Sequence, residues 1–143
     1  MTDYSQLDLT DRSLYKHWSK EYVRYGDLDP MGHANNAAYA TFFEGARVQL
    51  LKLINGMGPE KHNTAVVQLN ISFLKEMASH QEMDIGIFLG KIGNTSCEVY
   101  SAIFVGDVCT ATSYSVGVMF DIEARKAMPI PDDMRDKFSQ FQL

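Results

Sequence analysis

The sequence predicts an α+β fold in which a five-stranded antiparallel sheet wraps around one long helix. The first observation is a single stretch, residues 36–54, where apolar side chains recur at three- and four-residue spacing. The second is a set of other stretches where apolar and polar side chains alternate, as in half-buried strands. No linker or internal repeat divides the 143 residues, and this length suits one domain. We therefore expect residues 1–143 to form a single domain.

The chain is expected to begin with an arm, residues 1–17, that has no clear period and contains at most one helical turn. Weak alternation over residues 18–24 predicts the first strand. Residues 26–33 contain two glycines, a proline and two aspartates, a composition typical of a loop.

The helix is expected to cover residues 36–54. Either Asn35 or Asn36 is suited to cap its N-terminus, because an asparagine side chain can accept a hydrogen bond from a free backbone N–H. The signals that end it are Gly56, Gly58 and Pro59.

Four strands are expected after the helix, followed by a short helix. In the first of them, alternation predicts that Val67, Leu69, Ile71 and Phe73 share one face. Turns are expected at residues 92–94 and at Gly106-Asp107. The predicted strands cover residues 65–75, 82–91, 96–105 and 108–120, and the terminal helix covers residues 132–141.

Composition excludes several classes of protein. Hydrophobic residues make up 45% of the chain and the net charge is −5, so a core can form and no basic surface for nucleic acid is expected. The polar N-terminus does not resemble a signal peptide and no apolar run is long enough for a membrane span, so we expect a cytoplasmic protein that binds no membrane. Cys109 should lie opposite Phe104, far from Cys97, so no disulfide is expected.

Chemically useful side chains concentrate in the segment from Tyr25 to Tyr39, directly before the helix. It holds two carboxylates, a histidine and two asparagines. A helix N-terminus supplies free N–H groups and a positive dipole end, which suit an oxyanion or a polarised carbonyl. A carboxylate beside it can act as a nucleophile or as a general base for water.

This segment resembles the 4-hydroxybenzoyl-CoA thioesterase branch of the hotdog superfamily, through its Asp-x-Asp-x-x-Gly-His-x-Asn-Asn-x-x-Tyr pattern. The resemblance continues through about residues 18–137, including Phe42-Phe43-Glu44-Gly45-Ala46-Arg47, Gly93-Asn94-Thr95-Ser96 and Pro129-Ile130-Pro131. It implies a hotdog fold and hydrolysis of an acyl-CoA thioester without a cofactor or a metal. It also implies a homodimer or homotetramer whose subunits pair sheet edge to sheet edge.

The resemblance also assigns roles to residues. It makes Asp29 the catalytic carboxylate and the N–H of Asn36 the oxyanion donor. His33 and Asn35 would orient the carboxylate, the water or the thioester. Residues expected to contact substrate are Tyr39 at an acyl tunnel, Glu44 as a second candidate acid on the helix, and Thr95 and Ser96 near CoA.

The turn that grips the CoA phosphates in the 4-hydroxybenzoyl-CoA enzyme is less basic here. It reads Gly93-Asn94-Thr95 with only Lys91 nearby. Binding of the CoA phosphates is therefore expected to be weaker or to occur elsewhere, for example at Arg125 and Lys126. An acyl-carrier-protein thioester remains an alternative substrate to acyl-CoA.

Each of these residues also has a purely structural interpretation. Asp29 could form an Asx turn before Pro30, and Asn35 could only cap the helix. His33 could be an ordinary loop histidine, and Glu44 could pair with Arg47 or Arg24. Thr95 and Ser96 could be plain turn residues. Two other functions also stay open: a dehydratase or hydratase on acyl thioesters, and a non-catalytic module that binds acyl thioesters.

Overall fold

The computed structural model describes residues 2–55 and 63–143. The elements of these residues are strand β1 (His17–Tyr22), helix α1 (Asn36–Asn55), strands β2 (Thr64–Phe73), β3 (Glu82–Ile92), β4 (Ser96–Val105), β5 (Val108–Asp121) and β6 (Lys126–Ala127), and helix α2 (Asp132–Ser139).

The five long strands form one antiparallel sheet in the order β1-β3-β4-β5-β2, and the short β6 pairs only with β5. Helix α1 packs against this sheet and against α2. Its buried residues, Phe42, Phe43 and Ala46 among them, join the main hydrophobic core with side chains of β3, β4 and β5. The predicted α+β fold, a long helix against a five-stranded antiparallel sheet, is confirmed.

The predicted boundaries of the strands need small corrections. Strand β1 ends at Tyr22 rather than at Arg24, because Arg24 begins the turn that leads into the loop. Strand β2 ends at Phe73 rather than at residue 75, because the next two N–H groups, of Leu74 and Lys75, both donate to the carbonyl of Thr110. Such sharing of one carbonyl ends a regular ladder.

A β-bulge in β2 corrects the predicted face of this strand. Val66 pairs with Gly117 and Gln68 with Val116, so Val67 has no partner of its own. The extra residue reverses the alternation, and Val67, 64% exposed, does not share the face of Leu69. A single sequence gives no local signal for this insertion.

The remaining elements agree with the sequence except in detail. The residues predicted to end α1, Gly56, Gly58 and Pro59, lie outside the described residues. Helix α2 ends two residues early, at Ser139, and β6 was not predicted. Cys109 lies opposite Phe104 as expected, and Cys97 and Cys109 are both free thiols. No helix in the described residues is long and apolar enough to cross a membrane.

The N-terminal arm covers the face of the sheet that points away from α1. It contains two short 3-10 turns, Tyr4–Gln6 and Arg12–Leu14, rather than the single turn expected. Tyr15 of the arm packs against Phe88 and Phe104 in a second aromatic cluster. The arm therefore buries an aromatic surface that would otherwise face water.

We predict that Gly86→Ala loosens this arm. An added Cβ at Gly86 would lie 2.4 Å from the ring of Tyr15, and such overpacking costs about 1–3 kcal/mol. Gly117→Ala is the control, because a Cβ at Gly117 meets nothing within 4 Å. Urea unfolding should show a lower midpoint for Gly86→Ala only. Equal midpoints for the two variants would show that the contact with Tyr15 does not constrain the arm.

Candidate active site

The loop before α1 is organised by the carboxylate of Asp29. Its Oδ1 accepts hydrogen bonds from the N–H of Met31 at 2.9 Å and of His33 at 3.1 Å. The N–H of Asp29 in turn donates to the carbonyl of His33 at 2.7 Å. The Asx turn is therefore present, and it fixes the orientation of the carboxylate while engaging only Oδ1 within the described residues.

Asp27 has a different environment. Its side chain is buried, accepts a hydrogen bond from the N–H of Arg24 at 2.9 Å, and forms an ion pair with the Arg24 guanidinium at 3.3 Å. Its carbonyl accepts from the N–H of Asn35. These contacts close the loop through Asp27. Because Arg24 is already paired with Asp27, it is not available to pair with another acid.

Asn35 and Asn36 have different roles at the start of the helix. The Asn35 side chain accepts a hydrogen bond from the N–H of Ala38 at 2.9 Å, which is the geometry of an N-cap. Asn36 is the first residue of α1, and the first N–H groups of a helix have no partner within it. The N–H of Asn36 is thus available at the positive end of the helix.

A cleft of about 310 Å³ lies in front of this helix start. The structure brings four of the predicted site residues to its walls: Asp29, His33, Asn36 and Tyr39. The far wall comes from Phe73 at the end of β2 and from the three residues that follow it, Leu74, Lys75 and Glu76. A carboxylate, a helix N-terminus and an apolar surface therefore line the same cleft.

Glu76 is a wall residue that the sequence patterns do not predict. Its Oε2 lies 3.2 Å from Nε2 of His33. The loop and the segment after β2 are also joined through their backbones, because His33 bridges to Ala78 and the N–H of Ala34 donates to the carbonyl of Met77 at 2.8 Å. Only this long-range pairing places Glu76 beside His33.

The Tyr39 hydroxyl donates to the carbonyl of Lys75 at 3.1 Å. Burial, with a smaller contribution from the negative charge of Glu76, raises the pKa of Tyr39. Its hydroxyl therefore stays protonated at neutral pH. Tyr39 thus ties α1 to the far wall of the cleft, and its ring packs edge-on against Phe73 at 5.1 Å.

The other predicted contact residues are not at this cleft. Glu44 is exposed on α1 and lines a second cavity together with Thr95. Ser96 lies beside Thr95 at the start of β4. Thr95 and Ser96 lie at the end of the sheet opposite the loop, since β3 begins near the loop and ends at the turn before Ser96. Within one chain, none of the three meets Asp29.

The cationic residues suggested for a phosphate grip are also remote from the cleft. Arg125 and Lys126 are exposed at the hairpin between β5 and β6. Lys75 is the cationic side chain that lines the cleft. In the described ranges 2–55 and 63–143, no cluster of three or more His, Cys, Asp or Glu side chains could hold a metal ion.

Comparison with known proteins agrees with this architecture. The family model described as the thioesterase-like superfamily matches residues 23–138. A Bacillus subtilis strain 168 protein, the uncharacterized YsmA, is 24% identical over 128 residues, which cover 87% of this chain and 86% of YsmA.

Solved structures show the same fold. A predicted thioesterase from Bacillus stearothermophilus superposes with a TM-score of 0.83 at 26% identity, covering 88% of this chain and 96% of its own. A thioesterase from Thermus thermophilus, solved with coenzyme A and zinc, superposes with a TM-score of 0.80 at 22% identity, covering 87% and 98%. The hotdog fold expected from the resemblance is thereby confirmed.

We predict that Gly32→Ala disturbs the loop that holds Asp29. Gly32 has a φ of 83°, a conformation that costs a residue with a Cβ about 1–2 kcal/mol. Gly26→Ala is the matched control, because Gly26 lies in the same loop with no such φ and nothing within 4 Å of an added Cβ. Thermal unfolding should show a loss of stability for Gly32→Ala alone. Equal stabilities would show that the loop does not depend on this conformation.

Proposed function

The chain belongs to the thioesterase-like superfamily, and we propose that it hydrolyses acyl-CoA thioesters with Asp29 as its catalytic carboxylate. The observation that carries this proposal is the position of Asp29 and Asn36 on one cleft. Asp29 is held by loop N–H groups through Oδ1, so Oδ2 is the oxygen for the reaction. A carboxylate fixed beside a helix N-terminus suits attack on a polarised carbonyl.

In the proposed reaction the thioester carbonyl oxygen accepts a hydrogen bond from the N–H of Asn36. Asp29 either attacks the carbonyl carbon, forming an anhydride that water then cleaves, or removes a proton from the attacking water. In both routes the C–S bond breaks, the thiolate leaves and takes up a proton, and the carbonyl becomes a carboxylate. A thiol has a pKa near 8.5, so this leaving group departs far more readily than an alkoxide.

Three neighbours would support this chemistry without taking part in bond changes. His33, held by Glu76 at 3.2 Å, fixes the loop against the wall of the cleft. Tyr39 holds the other wall through the carbonyl of Lys75. These contacts keep the cleft in shape, and a displacement of about 1 Å at such a site can cost 10²-fold in rate.

CoA is the proposed carrier of the acyl group. A neighbour of the same fold from Thermus thermophilus has been solved with coenzyme A, which supports this choice of thiol. The net charge of −5 disfavours a polyanionic ligand at long range, so local cations such as Lys75 would have to offset it.

We also propose that the active form is at least a homodimer paired through β2. Among the described residues this strand is an edge of the sheet, since it pairs with β5 alone, and unpaired edges favour association with another strand. Four apolar residues of β2 are exposed: Val66, Val67, Leu69 and Phe73. Leu74, directly after the strand, is exposed as well.

Antiparallel pairing of two β2 strands would set the start of each beside the end of the other. Thr64 at the start of β2 pairs with Met119, whose N–H donates to the carbonyl of Thr95. The end of the sheet that holds Thr95 and Ser96 would then lie beside the cleft of the second subunit. This arrangement would bring both residues to the CoA of a thioester bound at that cleft.

A dehydratase would need His33 and Glu44 to act together as base and acid. Among the described residues of one chain, the cleft of His33 and the cavity of Glu44 share no wall residue, but in the proposed dimer the cavity of one subunit lies near the cleft of the other. Hydrolysis is favoured because Asp29 and the N–H of Asn36 lie on one cleft, which is the pairing that hydrolysis needs.

We predict that Asp29→Asn abolishes most thiol release while leaving the fold intact. The measurement is thiol release from a panel of acyl-CoAs from acetyl to palmitoyl, including benzoyl-CoA. Removing the reacting carboxylate should lower kcat/KM by at least 10²-fold, in the range that general acid–base groups contribute. The matched control is Asp107→Asn, which alters an exposed aspartate in the turn between β4 and β5.

Equal turnover by both variants would remove Asp29 from the mechanism. If the wild-type protein releases no thiol from any CoA ester or acyl-carrier-protein ester, the hydrolase proposal is wrong. Tight binding of the esters without turnover would then support the binding module.

A further inference from the structure

A second cavity of the described residues is separate from the Asp29 cleft. It has a volume of about 520 Å³ and lies between the second half of α1 and strands β2, β4 and β5. This volume is typical of a site for a small molecule. Its walls are mostly apolar and include Leu50, Leu51, Val66, Leu69, Val99 and Met119.

Gly117 lies on the side of this cavity that the sheet forms, and its lack of a side chain deepens the cavity. On three neighbouring strands, Cys97, Gly117 and Val66 form a row of paired residues, and all three line the cavity. A Cβ at Gly117 would meet nothing within 4 Å. The missing side chain therefore leaves empty space at the point where a close-packed core would be filled.

An apolar surface connects the cavity with the Asp29 cleft. Leu69 lines the cavity, Phe73 lines the cleft, and Ile71 lies between them on the same side of β2. Leu69 is 38% and Phe73 46% exposed, although both belong to the side that faces α1. The groove between α1 and β2 is thus incompletely filled beside Leu69 and Phe73, and the ring of Tyr39 packs against Phe73 at the end near the cleft.

The length of this groove suits a medium-length acyl chain. Asn36 lies at the cleft and Arg47 at the cavity, and at 1.5 Å per residue they are about 16 Å apart along the helix. An extended chain advances about 1.2 Å per bond, so about a dozen carbons cover this distance.

One wall of the cavity is polar. Glu44 and Arg47 are the charged side chains that line it, and they are neighbours on one face of the helix. Neither forms an ion pair within the described residues. Burial lowers the pKa of Arg47, and the charge of Glu44 offsets this only in part. A guanidinium donates and a carboxylate accepts, so the pair can bind a hydroxyl group, which does both.

We propose that this cavity takes the distal part of a medium-length acyl chain, that Gly117 provides its depth, and that Glu44 and Arg47 select chains with a distal hydroxyl group. This inference rests on the proposed thioesterase function, whose thioester would lie at Asp29. A distal carboxylate can accept a hydrogen bond from Arg47 but cannot donate one to Glu44, which repels it, and a methyl end leaves the half-buried Arg47 without a partner.

The first test fills the cavity. Gly117→Phe should lower kcat/KM for dodecanoyl-CoA relative to acetyl-CoA by at least tenfold, because each buried methylene contributes about fourfold to binding. Gly117→Ala, which adds one carbon, is the control. Val48→Trp fills the cavity from the exposed side of α1 and provides the test if Gly117→Phe does not fold. An unchanged ratio in a folded variant would overturn the inference.

The second test compares 12-hydroxydodecanoyl-CoA, dodecanoyl-CoA and the matching dicarboxylic mono-CoA ester. The wild-type protein should favour the hydroxylated chain, and Arg47→Met should reduce that preference by roughly tenfold. Glu44→Gln should reduce it less and improve the dicarboxylic substrate. Equal preferences in the wild-type protein and Arg47→Met would overturn the selectivity.

Binding of free 12-hydroxydodecanoate, measured by calorimetry, separates the two proposals. Weaker binding to Gly117→Phe without any thiol release by the wild-type protein would support the cavity and contradict the thioesterase. Thiol release that does not depend on chain length, with no binding of the free acid, would support the thioesterase and contradict the cavity proposal.

Discussion

The hydrogen bonding of the N-terminus of α1 is the constraint on which the site depends. A helix start needs partners for its free N–H groups, and this one obtains a cap from Asn35. The capping residue is itself held by the carbonyl of Asp27, and Asp27 is held by Arg24. The same short loop carries Asp29. The contacts that satisfy the helix therefore also place a carboxylate beside the first N–H that is left open, that of Asn36.

The sheet contributes a second constraint, which is incomplete filling of the groove under α1. A long helix on a twisted sheet can pack closely along only part of its length. Here Phe42, Phe43 and Ala46 fill the middle of the interface, while the bulge at Val67 and the bare position at Gly117 leave the far end open. The open end and the cleft at Asp29 are joined by the apolar side of β2. One helix thus organises both the proposed reaction site and the proposed chain site.

Much of this architecture could be predicted because it rests on local patterns. The period of α1 and the alternation in β3, β4 and β5 lie in the sequence itself, and the position of Asp29 before the helix follows from chain order. The bulge at Val67 and the placement of Glu76 against His33 could not be predicted, because both depend on pairing between distant segments. Glu44 and Thr95 show the same limit. The resemblance suggested that they contact substrate, but only the fold shows that they line a cavity separate from Asp29.

In the proposed complex an acyl thioester binds with its carbonyl at the start of α1 and its chain in the groove beside β2. The most direct measurement is a crystal structure of Asp29→Asn with a long-chain acyl-CoA. We expect the carbonyl oxygen within hydrogen-bonding distance of the N–H of Asn36 and the chain along Phe73, Ile71 and Leu69. A carbonyl bound away from the helix start, with the cleft of Asp29 empty of ligand, would contradict the account.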